Sequence, residues 1–274
     1  MKIVVLIENT APDGLKPEWG LSLWIEYRGK KYLLDAGGSD KFVVNAKKLD
    51  VSLAEAEAAI LSHAHFDQSG GLEAFCALND RAPVYVRREA EENCYSKHGL
   101  IRVYIGVQRG MLSRLNGRIV RVDGDGSIGE GITLVPHKQP DMIKRGRKAK
   151  MYIREGRRFC PDEFKHEQSL VMEVREGLVI FNSCSHGGVD SILDEVARTF
   201  PGRPILAMIG GFHLVRTPPR EVHALARRLR AMGAPELYTG HCTGNRAMEI
   251  LEEELPGKVH RMQTGSRFEV GTDI

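Results

Sequence analysis

The segment Ile60–Leu72 reads I-L-S-H-A-H-F-D-Q-S-G-G-L and gathers ligand-type side chains into one short stretch. His63 and His65 stand at i and i+2, which in extended or looped backbone puts both imidazoles on the same side. Two neutral imidazoles can grip one cation at about 2.0–2.1 Å, a distance that suits zinc or a similar first-row metal. Asp67 adds a carboxylate two residues on, and Gln68 an amide. Gly70 and Gly71 then allow a sharp turn without a Cβ penalty.

Four further stretches carry related chemistry: D-A-G-G at Asp35–Gly38, N-S-C-S-H-G-G at Asn182–Gly188, G-G-F-H at Gly210–His213, and T-G-H-C-T-G at Thr239–Gly244. Of ten histidines, His63, His65, His186, His213 and His241 fall just past an expected strand and near glycine. Ligands from the same ends of successive strands converge in space, which is how α/β proteins assemble sites. His98, His137, His166, His223 and His260 lack this setting and are assigned to the surface or to packing. Cys184 and Cys242 flank the histidines and are read as small buried side chains supporting them. H-E-Q at His166–Gln168 precedes a strand and lacks a second histidine, so it is not a zinc-protease helix.

The elements that must hold these residues follow from pattern. Lys2–Glu8, Leu21–Tyr27 and Lys31–Asp35 read as strands, the last two joined in a hairpin at Arg28-Gly29-Lys30. Phe42–Leu49 and Gly71–Leu78 read as helices around a strand at Ala56–Leu61, and Pro83–Val86 as another buried strand. Strands at Ser169–Val174, Leu178–Phe181, Pro204–Ile209 and Pro235–Tyr238 alternate with helices at Val189–Phe200, Arg220–Met232 and Ala247–Leu255, and Val259–Val270 closes the chain. Between Arg87 and Glu167 the pattern loosens, with weak strands at Arg118–Val122 and Ile132–Val135. Residues 1–274 are therefore expected to form a single α/β domain with an insertion or cap at about 87–167.

Composition narrows the setting. A hydrophobic content of 42% with 27% charged residues is that of an ordinary soluble globule. No apolar run is long enough to span a membrane. Five widely spaced cysteines with no C-x-x-C argue against a disulfide framework and for a reducing, cytoplasmic setting. The net charge is +3, but Lys144–Arg158 alone holds eight Lys/Arg against one Glu, so basic character is local. That run could meet an anionic or phosphorylated small molecule. Nucleic acid is disfavoured, because few aromatic residues accompany the charges.

H-A-H-F-D-Q-S-G-G resembles the H-x-H-x-D-H metal loop of the metallo-β-lactamase superfamily, and Asp35 in L-L-D-A-G-G matches its early strand-end aspartate. C-S-H-G-G, G-G-F-H-L and T-G-H-C-T-G resemble the branch known as superfamily II metal-dependent hydrolases, which includes archaeal dihydropterin ribofuranosyl-aminobenzene phosphate synthases. The resemblance implies a four-layer αβ/βα sandwich with its site at one edge of two packed sheets. It further implies a first metal position at His63, His65 and His186, and a second at Asp67 and His241, with Asp35 supporting them. The chain departs from the pattern at Gln68, where the motif has histidine and the amide oxygen is left as a weaker metal ligand of the second position, and in having no aspartate between Asp194 and Asp273 to bridge two ions. One strong position and one weaker position are expected, filled by zinc, with manganese or iron as alternatives.

A metal there would activate water, with Asp67 managing its proton and His213 or His241 serving the leaving group. The expected activity is metal-dependent hydrolysis of an ester, lactone or phosphoester in a small molecule. A dihydropterin-type transfer releasing diphosphate is the alternative enzyme. A non-catalytic ligand-binding member of the fold is the third reading, motivated by Gln68 and the missing aspartate.

Overall fold

Period-two burial along the strands builds two cores at once. Along Lys2–Ile7, Ile3 and Val5 enter a central core, while Val4 and Leu6 enter an outer one. Along Gln168–Val174, Leu170 and Met172 join the central core and Val171 faces a third. The computed structural model describes residues 1–273.

β1 (Lys2–Ile7), β2 (Ser22–Tyr27) and β3 (Lys30–Leu34) form an antiparallel meander, and α1 (Lys41–Lys48) leads on to β4 (Ala58–Ile60). α2 (Phe66–Ser69), α3 (Leu72–Leu78) and β5 (Val84–Arg87) follow. Next come β6 (Cys94–His98), β7 (Ile101–Tyr104), α4 (Met111–Arg114), β8 (Ile119–Val122), β9 (Gly126–Gly129) and β10 (Ile132–Pro136). α5 (Met142–Ala149), β11 (Met151–Glu155) and β12 (Arg158–Pro161) precede β13 (Gln168–Val174) and β14 (Gly177–Phe181). The rest alternates: α6 (Val189–Thr199), β15 (Ile205–Gly211), α7 (Pro219–Ala231), β16 (Glu236–Gly240), α8 (Asn245–Glu254), β17 (Val259–Arg261) and β18 (Arg267–Glu269).

One seven-stranded sheet has the order β18-β1-β2-β3-β4-β5-β8, and a second has the order β17-β16-β15-β14-β13-β10-β9. Their facing sides share the central core of Leu23, Leu34, Leu170, Phe181 and Ile209. α1 and α3 cover the outer face of the first sheet through Phe42 and Phe75. α6, α7 and α8 cover the outer face of the second through Leu193, Leu229 and Leu251. This is the expected four-layer αβ/βα sandwich. On α7, Pro219 sits at the helix start, where its missing N–H costs nothing, and Val222, Leu225, Ala226 and Leu229 form the buried stripe.

The segment 87–167 divides into parts with different loyalties. β8 extends the first sheet, β9 and β10 extend the second, and β6, β7, β11 and β12 make a separate four-stranded sheet in the order β12-β11-β6-β7. No helix among the described residues is long and apolar enough to cross a membrane.

Candidate metal centre

The parallel strands β14, β15 and β16 end at one edge of the second sheet, and β4 ends beside them in the first. Each end releases a polar loop. His63 and His65 follow β4, and His65 is the extended residue that opens α2, so Asp67 and Gln68 lie in that helix's first turn. Ser183–His186 follow β14, His213 follows β15, and His241 follows β16. Asp35, Ser185, His213 and His241 all take left-handed backbone with φ between 47° and 55°. Such conformations cost non-glycine residues about 1–3 kcal/mol each and cluster where function demands a particular side-chain direction. Gly70 and Gly71 serve close approach more than turning: a Cβ on either would clash with backbone oxygen of the Asp35–Ser39 turn.

Ligand-type atoms of His63, His65 and His186 lie within 4.8 Å of one another. His63 Nε2, His65 Nε2 and both ring nitrogens of His186 are buried without a hydrogen-bond partner. Burial pushes the His65 pKa down to about 4 and those of His63 and His186 well below the ordinary value. The rings are therefore neutral and offer lone pairs. Buried imidazoles left unsatisfied are rare, and three that converge fit a divalent cation.

A second group joins Asp67, Cys184 and His241, again within 4.8 Å. His241 Nε2 is 3.3 Å from Asp67 Oδ2 and 3.1 Å from Gln68 Nε2, while Gln68 Oε1 is buried and unpartnered. Burial opposes the charge on Asp67, but His241 and His65 outweigh it and hold the carboxyl below its usual range. Sequence reasoning assigns Cys184 only a supporting role, but its sulfur lies within ligand distance of the same space as the carboxylate and the imidazole. The His213 ring lies 4.4 Å from that of His186, and its Nδ1 is buried and unpartnered.

The supporting network fixes these rings. Ser62 Oγ donates to Asp35 Oδ2 at 2.6 Å, so it must accept from His63 Nδ1 at 2.9 Å, which leaves the lone pair on Nε2. Asp35 thus acts on the imidazole through Ser62, not by direct contact. Its other partners are the Ser62 amide at 2.7 Å and the Ser183 hydroxyl. Burial raises its pKa to about 7 against the pull of those bonds. Asn9 holds His241 Nδ1 at 3.1 Å, and Glu8 receives the His241 backbone amide. Asn182 Oδ1 caps the amides of Cys184 and Ser185 at 3.3 and 2.7 Å, and Thr243 Oγ1 receives the Phe212 amide at 2.9 Å.

Sequence reasoning missed the loop between β12 and β13. Phe164 stacks on His186 with ring centroids 4.7 Å apart and planes 5° from parallel. His166 packs 5.2 Å from His65 and bonds Asp162 at 3.0 Å. Glu167 accepts the amides of His186 and Gly187 at 2.9 and 3.1 Å and is held in turn by His137. His137 and His166 are therefore packing residues tied to the site. An Asp and a His four residues apart, followed by Glu in a glycine-poor loop, was the available signal.

The chain matches the model of the Metallo-beta-lactamase superfamily over residues 19–194. It belongs to that superfamily. Within it, the chain is 27% identical to the 7,8-dihydropterin-6-methyl-4-(beta-D-ribofuranosyl)-aminobenzene-5'-phosphate synthase of Methanocaldococcus jannaschii, over 97% of this chain and 95% of the relative. Among solved structures it is similar to Tm1679, a metal-dependent hydrolase of the beta-lactamase superfamily, with 29% identity, a TM-score of 0.84 and 99% of both chains covered. A diphosphatase from the PhnP family shares the fold at 14% identity and a TM-score of 0.55, covering 100% of this chain and 99% of that one.

Proposed function

We propose that this chain is a cytoplasmic metal-dependent hydrolase that directs water onto an ester, lactone or phosphoester bond of a small molecule. The observation that carries the reading is the convergence of three buried, neutral imidazoles with unpartnered nitrogens at His63, His65 and His186. Similarity to a solved metal-dependent hydrolase along the whole chain supports it. His63, His65 and His186 would hold a divalent ion, with zinc matching the nitrogen donors and manganese or iron as alternatives, and such an ion would supply a lowered water pKa and polarisation of an acyl or phosphoryl oxygen.

The chain's own residues do the rest. Asp67, ionised and buried beside the imidazoles, orients water and accepts its proton. His213, with a free Nδ1 next to His186, delivers a proton to the leaving group. Asp67, Cys184 and His241 form the weaker second position, which Gln68 burdens by engaging His241 Nε2.

A second reading is favoured by the synthase relative: group transfer, with a substrate amine in place of water as the attacking group and diphosphate leaving. Metal analysis of the purified protein separates catalytic from non-catalytic readings. His63→Ala loses the tightly held ion, whereas His213→Ala keeps it and loses turnover by about 10²-fold or more. Metal below about half an equivalent, with no activity regained on adding zinc, manganese or iron, rejects both enzymatic readings. Diphosphate release that requires an amine acceptor selects transfer.

A further inference from the structure

A cavity of about 480 Å³ opens beside the imidazoles, bordered by α5, the start of α6 and the chain between β15 and α7. His186 and His213 line its inner end, and Arg145, Lys148, Lys150, Arg216 and Arg228 line its flanks. Two of these cations are already neutralised. Lys148 pairs with Glu221, and Arg228 Nε bonds Asp190 Oδ2 at 2.7 Å. Among the described residues, Arg145, Lys150 and Arg216 pair with no carboxylate, so the cavity keeps three uncompensated positive charges.

Arg145 is held in place. Half-buried, it donates from Nη2 to Ser191 Oγ at 2.7 Å, and its guanidinium fills the space a Cβ on Gly188 would need. It therefore lies against the N-terminus of α6, an 11-residue helix whose first hydrogen bond of the ladder runs from Ile192 N–H to Gly188 O at 2.9 Å. The amides of Val189, Asp190 and Ser191 precede that bond and present partial positive charge. Asp190, the one acid in that turn, is drawn off by Arg228. An independent sign of a ligand comes from Ser185. Its residue is 2% exposed, its Oγ is buried with no partner, and it lines the same cavity.

A guanidinium, a helix N-terminus and an unsatisfied hydroxyl are all donors, and together with three unpaired cations they suit a polyvalent oxyanion. We infer that this cavity is a phosphate-binding subsite that holds a phosphoryl group of the substrate while the reacting bond lies at His186 and His213. The substrate is thereby a phosphorylated small molecule. Its assignment as substrate rests on the enzymatic reading above; the anion site itself does not.

Calorimetric titration of the metal-loaded protein with inorganic phosphate tests the subsite, with metal content measured on every sample. The wild type binds phosphate, and Arg145→Ala and Arg216→Ala each weaken it by about tenfold or more while metal content is unchanged. Ser185→Ala weakens it less. Absence of binding, or binding equally tight in both arginine variants, as expected if phosphate sits on the metal alone, overturns the subsite. Should Arg145→Ala not fold, Arg145→Lys together with Arg216→Ala reads the same loss. A wild type that lacks metal yet binds phosphate in an Arg145-dependent way would retain the subsite and reject the enzymatic reading.

Discussion

Glu167 Oε1 receives the backbone N–H of His186 at 2.9 Å, so a carboxylate from the loop before β13 fixes the position of an imidazole carried after β14. The same carboxylate contacts His137 Nε2, and Glu195 Oε2 approaches His137 Nδ1 at 3.1 Å. All three side chains are buried, and the imidazole sits between two anions.

This sandwich predicts a pH dependence. Burial alone would lower the His137 pKa, but Glu167 and Glu195 outweigh it and push it up to about 9. A histidine whose folded pKa exceeds its unfolded value of about 6.5 stabilises the fold fully below that value. The contribution fades as pH rises from there and is gone above about 9. The melting temperature of wild type should therefore fall between pH 7 and 9.5 more steeply than that of His137→Gln. The variant should also be less stable at pH 7 by about 3 kcal/mol or more, because it leaves two buried carboxylates facing each other. Parallel melting curves for the two proteins across that range would refute the charged-histidine reading.

The relay from Asp35 through Ser62 to His63 predicts a separable effect on metal affinity. Ser62→Ala removes the acceptor that keeps the His63 proton on Nδ1, without replacing any proposed ligand. Outer partners of this kind typically govern metal affinity by about 10–100-fold. Competition against a chelator should show a loss in that range, with far-ultraviolet circular dichroism unchanged. Ser62→Thr, which keeps the hydroxyl, should recover most of it. Equal affinity in wild type and Ser62→Ala sinks the relay.

Much of this arrangement was legible because periodicity and punctuation agreed. Strands such as Leu178–Phe181 and the stripe of α7 announce themselves through burial patterns that a one-dimensional reading can count. The strand-end histidines were legible for the same reason, since the strands positioned them. β6, β7, β11 and β12 were not, because exposed, charged residues such as Arg102, Arg154 and Arg158 mask any alternation. The supporting role of Glu167 was invisible for a different reason. Its partners lie 19 and 20 residues away, and only the packing of β13 against β14 brings them together. Glu8 reaches His241 across 233 residues by the same logic of sheet edges.

The second position yields the last prediction. His241 Nδ1 bonds Asn9, so its Nε2 lone pair is the one available to an ion, and Gln68 Nε2 stands 3.1 Å from it as a competing donor. Replacing that amide by an imidazole removes the competitor and adds a better nitrogen ligand. Gln68→His should therefore retain about two equivalents of zinc through dialysis against a mild chelator, where wild type retains about one. Cys184 supplies the remaining soft donor near Asp67 and His241. Cys184→Ala in the Gln68→His background should return the count to about one while leaving the ion at His63, His65 and His186 in place. A wild type that keeps two equivalents through the same dialysis would show that Gln68 does not weaken this position.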